Sequence, residues 1–257
     1  MKIIACIKQV PDSEAKVKAE DGQVTWGEAP LVINPFDEYA VEGALLTKEA
    51  NDGSTVTALC IGPESAKDAL KHALAMGADE AVLVSDPALE EIDSVAAARV
   101  LAAAIQKIGD ADMVVFGRQT LDNGSGLTGA QTARVLGWPM LGLAGQIKVE
   151  DGSVQIERVI EEGRVTVSAK MPVAVSVVQS IGEPRYPSFM GIRKASKAEI
   201  PIWSLSDIGA DAPATVVKRT ELMNPPADET EIEIIEGETP EAIAETLADK
   251  IIAEKVL

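Results

Sequence analysis

Short apolar runs alternate with amphipathic stretches over the first half of the chain, and this alternation limits the fold more than any other feature. The runs KIIACIK, TVTALCI, EAVLV and DMVVFG are typical of buried strands, and stretches of helical spacing such as SAKDALKHALAMGA separate them. Strands joined by helical crossovers pair in parallel. The pattern predicts an α/β fold, a doubly wound and mostly parallel sheet, in which Gly77 ends one helix.

The pattern changes after Pro139. VQIERVI, the turn EEGR, VTVSAK and PVAVSVV follow one another closely, which is typical of antiparallel strands added to a sheet. From about residue 205 long apolar runs are rare, so we expect residues 206–257 to form an arm on an α/β domain of residues 1–205. The arm ends in a predicted helix with Pro240 in its first turn. Its apolar stripe, expected to pack on a partner or on the domain, consists of Ile243, Leu247, Ile251 and Ile252.

Composition excludes several classes of function. The 257 residues include 41 acidic and 23 basic side chains, and the net charge of -18 repels nucleic acids and anionic lipids. No run approaches the roughly 20 apolar residues of a membrane span, and MKIIACIKQVPD becomes polar too early for a signal peptide, so we expect a cytoplasmic location. His72 is the only histidine, which argues against a histidine-based triad or metal site. Cys6 and Cys60 lie in apolar runs, as buried reduced thiols do.

Three loops follow predicted strands at the edge where open α/β sheets bind ligands: residues 6–10, VINPFDEYA and GRQTLDNGSGLTGAQTA. The third loop is rich in glycine, which lets the backbone approach a ligand, and the helix that follows would present N–H groups to a phosphate. Gly129 and the hydroxyls of Ser125 and Thr128 lie at the start of that helix. Alone, the loop could be a turn and an N-cap, and Asn34 with Pro35 could be only a helix start.

Six blocks in fixed order carry a more specific signal. They are IIACIKQVPD, INPFDEYAVEGAL, LKHALAMGADEAVLV, VVFGRQTLDNGSGLTGAQTARVLGWP, IERVIEEGRVTVSAKMPVAVSVV and EPRYPSFMGIRKASKAEI. With these blocks the chain resembles the beta subunit of electron transfer flavoprotein over essentially its whole length. The resemblance implies a heterodimer whose alpha subunit holds most of a FAD, and a structural AMP buried in the beta subunit. It also implies an electron carrier without catalytic side chains of its own, since the cofactor does the chemistry.

The resemblance implies which residues contact the nucleotide. By position they are Cys6, Asn34, Pro35, Phe36, Asp37, Ile61, Gly117, Arg118, Gln119, Thr120, Leu121, Asp122, Asn123, Gly124, Ser125, Gly126, Leu127 and Thr128. A subgroup of the family bifurcates electrons and binds a second FAD in place of AMP. The small residues 123–126 leave space for a diphosphate, whereas Thr128 and Gly129 resemble the AMP-binding type. We therefore expect AMP, with a second FAD as the alternative.

The resemblance also places partner recognition in residues 183–200. The implied contacts are Arg185, Tyr186, Phe189, Met190, Ile192, Arg193 and Lys194. Phe189 replaces an anchoring residue that is usually leucine, and the basic side chains would steer an acidic surface. The implied donors are acyl-CoA or other flavin dehydrogenases, and the implied acceptor is an ETF-quinone or iron-sulfur oxidoreductase. Without the resemblance, a solvated loop is the simpler interpretation.

Some features depart from the family or leave other functions open. Pro11, Asp12 and Ser13 stand where some members have an aromatic residue near the flavin, so we do not expect that contact. An ATP-using enzyme on the same fold would need a phosphate-loop lysine or a Ser-Gly-Gly loop, where this chain has IKQVPD. A purely structural partner protein would bind no nucleotide.

Overall fold

The computed structural model describes residues 1–217, 220–226 and 232–254. The described residues form thirteen strands: β1 (Lys2–Ile7), β2 (Gln9–Pro11), β3 (Lys18–Glu20), β4 (Gln23–Thr25), β5 (Leu31–Ile33), β6 (Thr55–Ile61), β7 (Glu80–Val84), β8 (Met113–Phe116), β9 (Met140–Glu150), β10 (Ser153–Ile160), β11 (Gly163–Lys170), β12 (Val173–Val177) and β13 (Ile202–Trp203). They also form six α-helices: α1 (Pro35–Glu49), α2 (Lys67–Met76), α3 (Ser94–Ile108), α4 (Thr128–Leu136), α5 (Phe189–Ala195) and α6 (Pro240–Ala253). Two compact units contain these elements, Met1–Leu222 and Met223–Leu257.

The first unit is built on a nine-stranded sheet of order β11-β10-β9-β12-β8-β1-β6-β7-β13. All neighbours from β9 to β13 in this order are parallel, and β10 pairs antiparallel with both β9 and β11. Two short antiparallel pairs, β2 with β5 and β3 with β4, lie outside the sheet. The predicted mostly parallel, doubly wound sheet with antiparallel additions is therefore confirmed.

One strand prediction is wrong. The run PVAVSVV was predicted to be antiparallel, but β12 lies inside the parallel part, where Val175 pairs with both Val115 of β8 and Leu141 of β9. Both faces of a central parallel strand are covered, and four of the five residues of β12 are buried. Its largely apolar sequence suits that place, whereas the edge strand β11 is mostly exposed.

The side chains of β1 divide between two apolar cores. Ile3, Ala5 and Ile7 point to the face covered by α1 and α2, and Ile4 and Cys6 point to the face covered by α3 and α4. This follows from the period of two along a strand. Burying one such isoleucine stabilises the fold by about 1.5–3 kcal/mol. The predicted helix end at Gly77 is confirmed, since α2 ends one residue earlier and Gly77 has a φ of 135°.

The strand order reverses beside β1. From β1 the chain proceeds through β6 to β7 on one side and then crosses to β8 on the other. Loops leaving β1 and β8 therefore separate at the carboxyl edge of the sheet, which is where open α/β folds leave a crevice. Helix α4 starts after the loop that follows β8.

The second unit contains α6, which confirms the predicted C-terminal helix. The Thr239 hydroxyl accepts a hydrogen bond from the Ala242 N–H at 3.2 Å, and Pro240 occupies the first turn. No residue of α6 is buried, and Leu247 and Ile252 of the predicted stripe are 47% and 66% exposed. Residues 255–257 of the predicted helix, and residues 218–219 and 227–231 of the predicted arm, lie outside the described residues. The boundary at residue 205 stays a prediction.

No helix of the described residues combines the length and the hydropathy that a membrane span needs.

Candidate functional site

A cavity of about 920 Å³ opens at the carboxyl ends of β1, β6, β7 and β8. It lies at the reversal of strand order, where the fold leads us to expect a ligand. The structure brings residues from three of the predicted segments and the residue after Cys60 together in its wall. The predicted contacts that line it are Cys6, Asp37, Ile61, Gly117, Arg118, Gln119, Thr120, Asp122, Asn123, Ser125, Gly126 and Thr128.

The other predicted contacts are not in the lining: Asn34, Pro35, Phe36, Leu121, Gly124 and Leu127. Asn34 nevertheless acts on the site. Its side chain is fully buried and does not cap α1. Instead its Nδ2 donates to the carbonyl of Gln119 at 2.9 Å, and its Oδ1 accepts from the N–H of Leu121 at 3.1 Å. Asn34 therefore fastens the loop after β8 to the start of α1. The expected helix start is confirmed, with Asn34 at the N-cap position and Pro35 in the first turn, but the Asn34 side chain does not act as the cap.

Asp37 joins three elements at the base of the cavity. Its Oδ2 accepts a hydrogen bond from the N–H of Lys8 at 2.8 Å, and Gly117 also donates to this carboxyl group. Gly117 packs so tightly that an added Cβ would lie 2.5 Å from Asp37 Oδ1 and 2.5 Å from the carbonyl oxygen of Phe36. Burial raises the pKa of Asp37 to about 7, against the lowering effect of hydrogen bonds from Asn34, Lys8 and Gly117. The ends of β1 and β8 and the start of α1 are thus locked together.

The start of α4 forms one end of the cavity. Leu127 is the N-cap residue of α4, and its side chain makes no hydrogen bond to the first turn. The N–H groups of that turn are therefore available to a ligand. Gly129 approaches the ring of Phe116 so closely that a Cβ would lie 3.1 Å from it. The cationic side chains of the lining are Lys8 and Arg118, and Lys8 Nζ lies 2.5 Å from Asp122. Helix dipole, free N–H groups and two cations make this end suitable for a phosphate.

The opposite wall was missed by sequence reasoning. It consists of residues 85–94, which carry the carboxylates of Asp86, Glu90, Glu91 and Asp93. No glycine-rich motif marks this loop, and its only signal is that it follows a parallel strand, β7, at the same edge of the sheet. Asp93 also caps α3, because its Oδ1 accepts from the N–H of Ala96 at 2.8 Å. Carboxylates here suit the hydroxyl groups of a ribose better than a phosphate.

Comparison with known proteins agrees with this architecture. The family model for the electron transfer flavoprotein domain matches residues 24–208. The chain belongs to the electron transfer flavoprotein family, among its beta subunits. It is 34% identical to the electron transfer flavoprotein subunit beta of Megasphaera elsdenii, with both chains fully covered. It is 35% identical to subunit CarD of the caffeyl-CoA reductase-Etf complex of Acetobacterium woodii, again over both whole chains, and 40% identical to the Mycobacterium leprae beta subunit over 81% of each.

Residues 183–200, the predicted partner-recognition segment, lie apart from the cavity lining and contain α5. Four apolar side chains are turned outward, with Phe189 93%, Tyr186 91%, Met190 83% and Ile192 51% exposed. Arg193 and Lys194 are exposed as well. The helix is capped by Ser188, whose hydroxyl accepts from the N–H of Gly191 at 3.0 Å. The structure thus brings most of the predicted partner contacts together on one exposed surface.

Arg185 differs from the other predicted partner contacts. Its guanidinium group is engaged by the carboxylates of Glu42 and Glu49 on α1. Its charge is therefore neutralised within the subunit, and a role in steering a partner stays a prediction.

The two thiols of this beta subunit offer no reactive group. Cys6 and Cys60 are free and buried. Burial raises the pKa of the Cys6 thiol and brings that of Cys60 to about 12, so neither forms the nucleophilic thiolate near neutral pH.

Proposed function

We propose that this chain is the beta subunit of a heterodimeric electron transfer flavoprotein, which carries AMP as a structural ligand and helps hold the FAD of an alpha subunit. The observation that carries the proposal is the cavity at the reversal of strand order. The side chains of Asn34 and Asp37 hold its loops in place through hydrogen bonds to their main chain. A largely preformed cavity of this kind is typical of ligand and cofactor sites.

The residues present fit the two ends of AMP. The first turn of α4 and Lys8 would bind the phosphate, and no side chain caps that turn in competition. The carboxylates of residues 85–94 would accept hydrogen bonds from the ribose. A side chain at Gly117 would collide with Asp37, and one at Gly129 would crowd the ring of Phe116, so glycine at both positions preserves the shape of the site.

The function of such a subunit requires positioning and no acid–base step of its own. A bound flavin supplies the redox chemistry, and the protein supplies orientation and electrostatics. The buried carboxyl group of the cavity wall, Asp37, is already hydrogen-bonded to backbone N–H groups. Asp37 therefore holds the main chain in place, and we assign it no role in proton transfer.

Phe189 is the proposed anchor for redox partners. It projects from α5 with 93% of its surface exposed, beside the exposed Met190. An aromatic side chain of this kind gains most of its binding energy by filling a pocket on a partner. We infer that acyl-CoA or other flavin dehydrogenases dock here as donors, and that an ETF-quinone or iron-sulfur oxidoreductase accepts the electrons.

A second FAD in place of AMP is the alternative that one observation favours. The cavity of about 920 Å³ is near the upper limit of roughly 1,000 Å³ for small-molecule sites. It continues beyond the start of α4 to Leu101 and Ile202, which leaves room for more than a mononucleotide. The relative CarD belongs to a caffeyl-CoA reductase-Etf complex, which is consistent with such a role.

The nucleotide content of the complex tests the proposal. The chain is coexpressed with its flavin-bearing subunit, the heterodimer is purified and denatured, and the released nucleotides are counted by chromatography. One FAD and one AMP per heterodimer is the expected result. Two FAD per heterodimer would identify the protein as the bifurcating type. A heterodimer with no adenine nucleotide beyond the FAD of the alpha subunit would overturn the proposal that the cavity binds AMP.

The second unit is proposed to hold the alpha subunit. The apolar residues Leu247 and Ile252 on α6 are exposed, and a partner that covers them would gain roughly 1.5–3 kcal/mol from each. Deleting residues 240–257 should therefore weaken heterodimer assembly, measured by size-exclusion chromatography. Undiminished assembly would show that α6 does not cross to the partner.

A further inference from the structure

One arginine fastens the first part of the predicted partner-recognition segment to α1. Arg185 Nε lies 2.8 Å from Glu42 Oε2, and Nη2 lies 2.9 Å from Glu42 Oε1, which is a two-pronged ion pair. Nη1 adds a contact of 2.5 Å to Glu49, and the N–H of Arg185 donates to Glu42 Oε2 at 3.1 Å. The Glu42 side chain is only 6% exposed, whereas Glu49 is 55% exposed. Backbone and side chain of one residue are thus both held by α1.

Tight contacts fix the segment on either side of Phe189. Upstream, a Cβ on Gly182 would lie 3.2 Å from Leu46 of α1, so the main chain crosses that helix closely. Downstream, a Cβ on Gly191 would lie 2.3 Å from the carbonyl oxygen of Ala75 at the end of α2. Phe189 stands between these points and is almost fully exposed, so its direction is set by the main chain around it.

We propose that Arg185 is a positioning residue that holds Phe189 in the orientation required for docking, through its ion pairs with Glu42 and Glu49. The inference rests on the docking role given to Phe189 above. An anchor held in its bound orientation loses less conformational entropy on association, which tightens binding without a new contact. The guanidinium fork meets both oxygens of Glu42 at once, a geometry that the single ammonium group of lysine does not reproduce.

Hydrogen exchange in the intact heterodimer tests the positioning role of Arg185 without a dehydrogenase present. The amides of Ile192 and Ser196 bond to the carbonyls of Ser188 and Ile192 and report on α5. In Arg185→Gln we expect them to exchange on the order of tenfold faster, because the segment opens locally more often. Arg185→Lys should give a smaller increase. Exchange equal to wild type in Arg185→Gln would overturn the proposal.

A matched control separates position from charge. Arg193→Gln removes the same charge from the same segment, and within the described residues Arg193 has no ion pair. It should leave the exchange of α5 unchanged. If Arg185→Gln does not fold, Glu49→Gln is the second variant, because it removes only the exposed partner of Arg185. We then expect a smaller increase in the exchange rate of the α5 amides. No increase would overturn the proposal.

A double-mutant cycle connects position with docking. The probe is a short-chain acyl-CoA dehydrogenase reduced by butyryl-CoA, and the KM for the heterodimer is measured. Phe189→Ala and Arg185→Gln should each raise this KM, by about tenfold, while combining them should add less than about twofold, because both changes remove the same oriented anchor.

The outcomes distinguish the two claims. If Phe189→Ala leaves KM unchanged, docking through Phe189 is wrong, and the positioning role of Arg185 is overturned as well. If Phe189→Ala raises KM but Arg185→Gln does not, docking stands and the positioning role alone is overturned. Full additivity of the two changes would also overturn it, since Arg185 would then act on its own.

Discussion

Helix α1 supports two surfaces by different means. At its start, Asn34 and Asp37 are 0% and 5% exposed, and their side chains bond to the main chain of Lys8, Gln119 and Leu121 at the cavity. Further along the helix, Glu42 and Glu49 bond to Arg185 and fasten the predicted partner-recognition segment. One helix therefore holds the proposed ligand site through buried hydrogen bonds to the backbone and the proposed docking site largely through ion pairs to a side chain.

The difference follows from what each surface must keep fixed. A nucleotide that contacts main-chain atoms requires those atoms in place, and buried donors or acceptors that lose a partner cost about 1–3 kcal/mol each. A docking anchor needs only its orientation. The exposed ion pair of Arg185 with Glu49 contributes about 0–1 kcal/mol, whereas the pair with the buried Glu42 costs more to break. We therefore expect changes at the cavity to lower the stability of the fold, and changes at the exposed side chains of the recognition surface to affect mainly association.

Gly117→Ala should give the largest effect. Its Cβ would lie 2.5 Å from both Asp37 Oδ1 and the carbonyl oxygen of Phe36, so the start of α1 or the loop after β8 must shift. We expect the nucleotide to be lost and unfolding to become easier by more than about 3 kcal/mol, measured by urea denaturation. Gly142→Ala is the control, because its Cβ meets only Ser176 Oγ at 3.6 Å. Equal stability of the two variants would contradict the account of this contact.

The pH dependence of stability tests Asp37. Burial raises its pKa to about 7, above the value of about 3.9 in an unfolded chain. The folded chain thus keeps a proton that the unfolded chain releases, so this contribution is fully present below about pH 4 and lost as the pH rises through 7. Relative to Asp37→Asn, the wild type should lose about 3 kcal/mol of unfolding free energy between pH 5 and pH 8. Parallel pH profiles would show that Asp37 is ionised throughout.

Asn34→Ala should have a smaller effect at the same site. It removes both hydrogen bonds to the loop after β8 and leaves the main chain of Gln119 and Leu121 unpaired. We expect a loss of about 2 kcal/mol in stability and weaker retention of the nucleotide through gel filtration. Asn51→Ala, which removes a bond to the carbonyl of Thr47 away from the cavity, should retain the nucleotide fully. If the control lost the nucleotide and Asn34→Ala kept it, the two hydrogen bonds of Asn34 would not be what holds the ligand site.

Phe189→Ala should have the smallest effect on the fold. Its side chain is 93% exposed, so its removal uncovers no core, and a change of less than about 0.5 kcal/mol in stability is expected. Only the rate of reduction by a dehydrogenase should fall. A loss of stability comparable to that of Asn34→Ala would show that the recognition surface is part of the core after all.

The sequence predicted the sheet because strands and crossover helices differ in period, as in the segments that became β6, α2 and β7. It assigned β12 to the wrong pairing, because residues 171–172 form a connection short enough for an antiparallel neighbour. The largely apolar run of β12, in which Ser176 is the one polar residue, was the sign of a central strand, in contrast to the alternation toward the end of β11.

The site was predicted only in part. The glycine-rich loop after β8 carries a pattern, but the carboxylate wall of residues 85–94 does not, since nothing local marks a loop that reaches the cavity through the order of the strands. The role of Asn34 was equally hidden. An asparagine before a proline looks like a helix cap, and only the tertiary fold brings Gln119 and Leu121 within reach of its amide.

The proposed occupant of the cavity at the carboxyl edge of the sheet is an adenine nucleotide. The decisive experiment is native mass spectrometry of the heterodimer, with wild type, Gly117→Ala and Gly142→Ala measured side by side. The wild type and Gly142→Ala should carry two nucleotides, and Gly117→Ala should lack one while retaining the FAD held mainly by the alpha subunit. A Gly117→Ala heterodimer that keeps both nucleotides, or a wild type that carries a single FAD, would contradict the account.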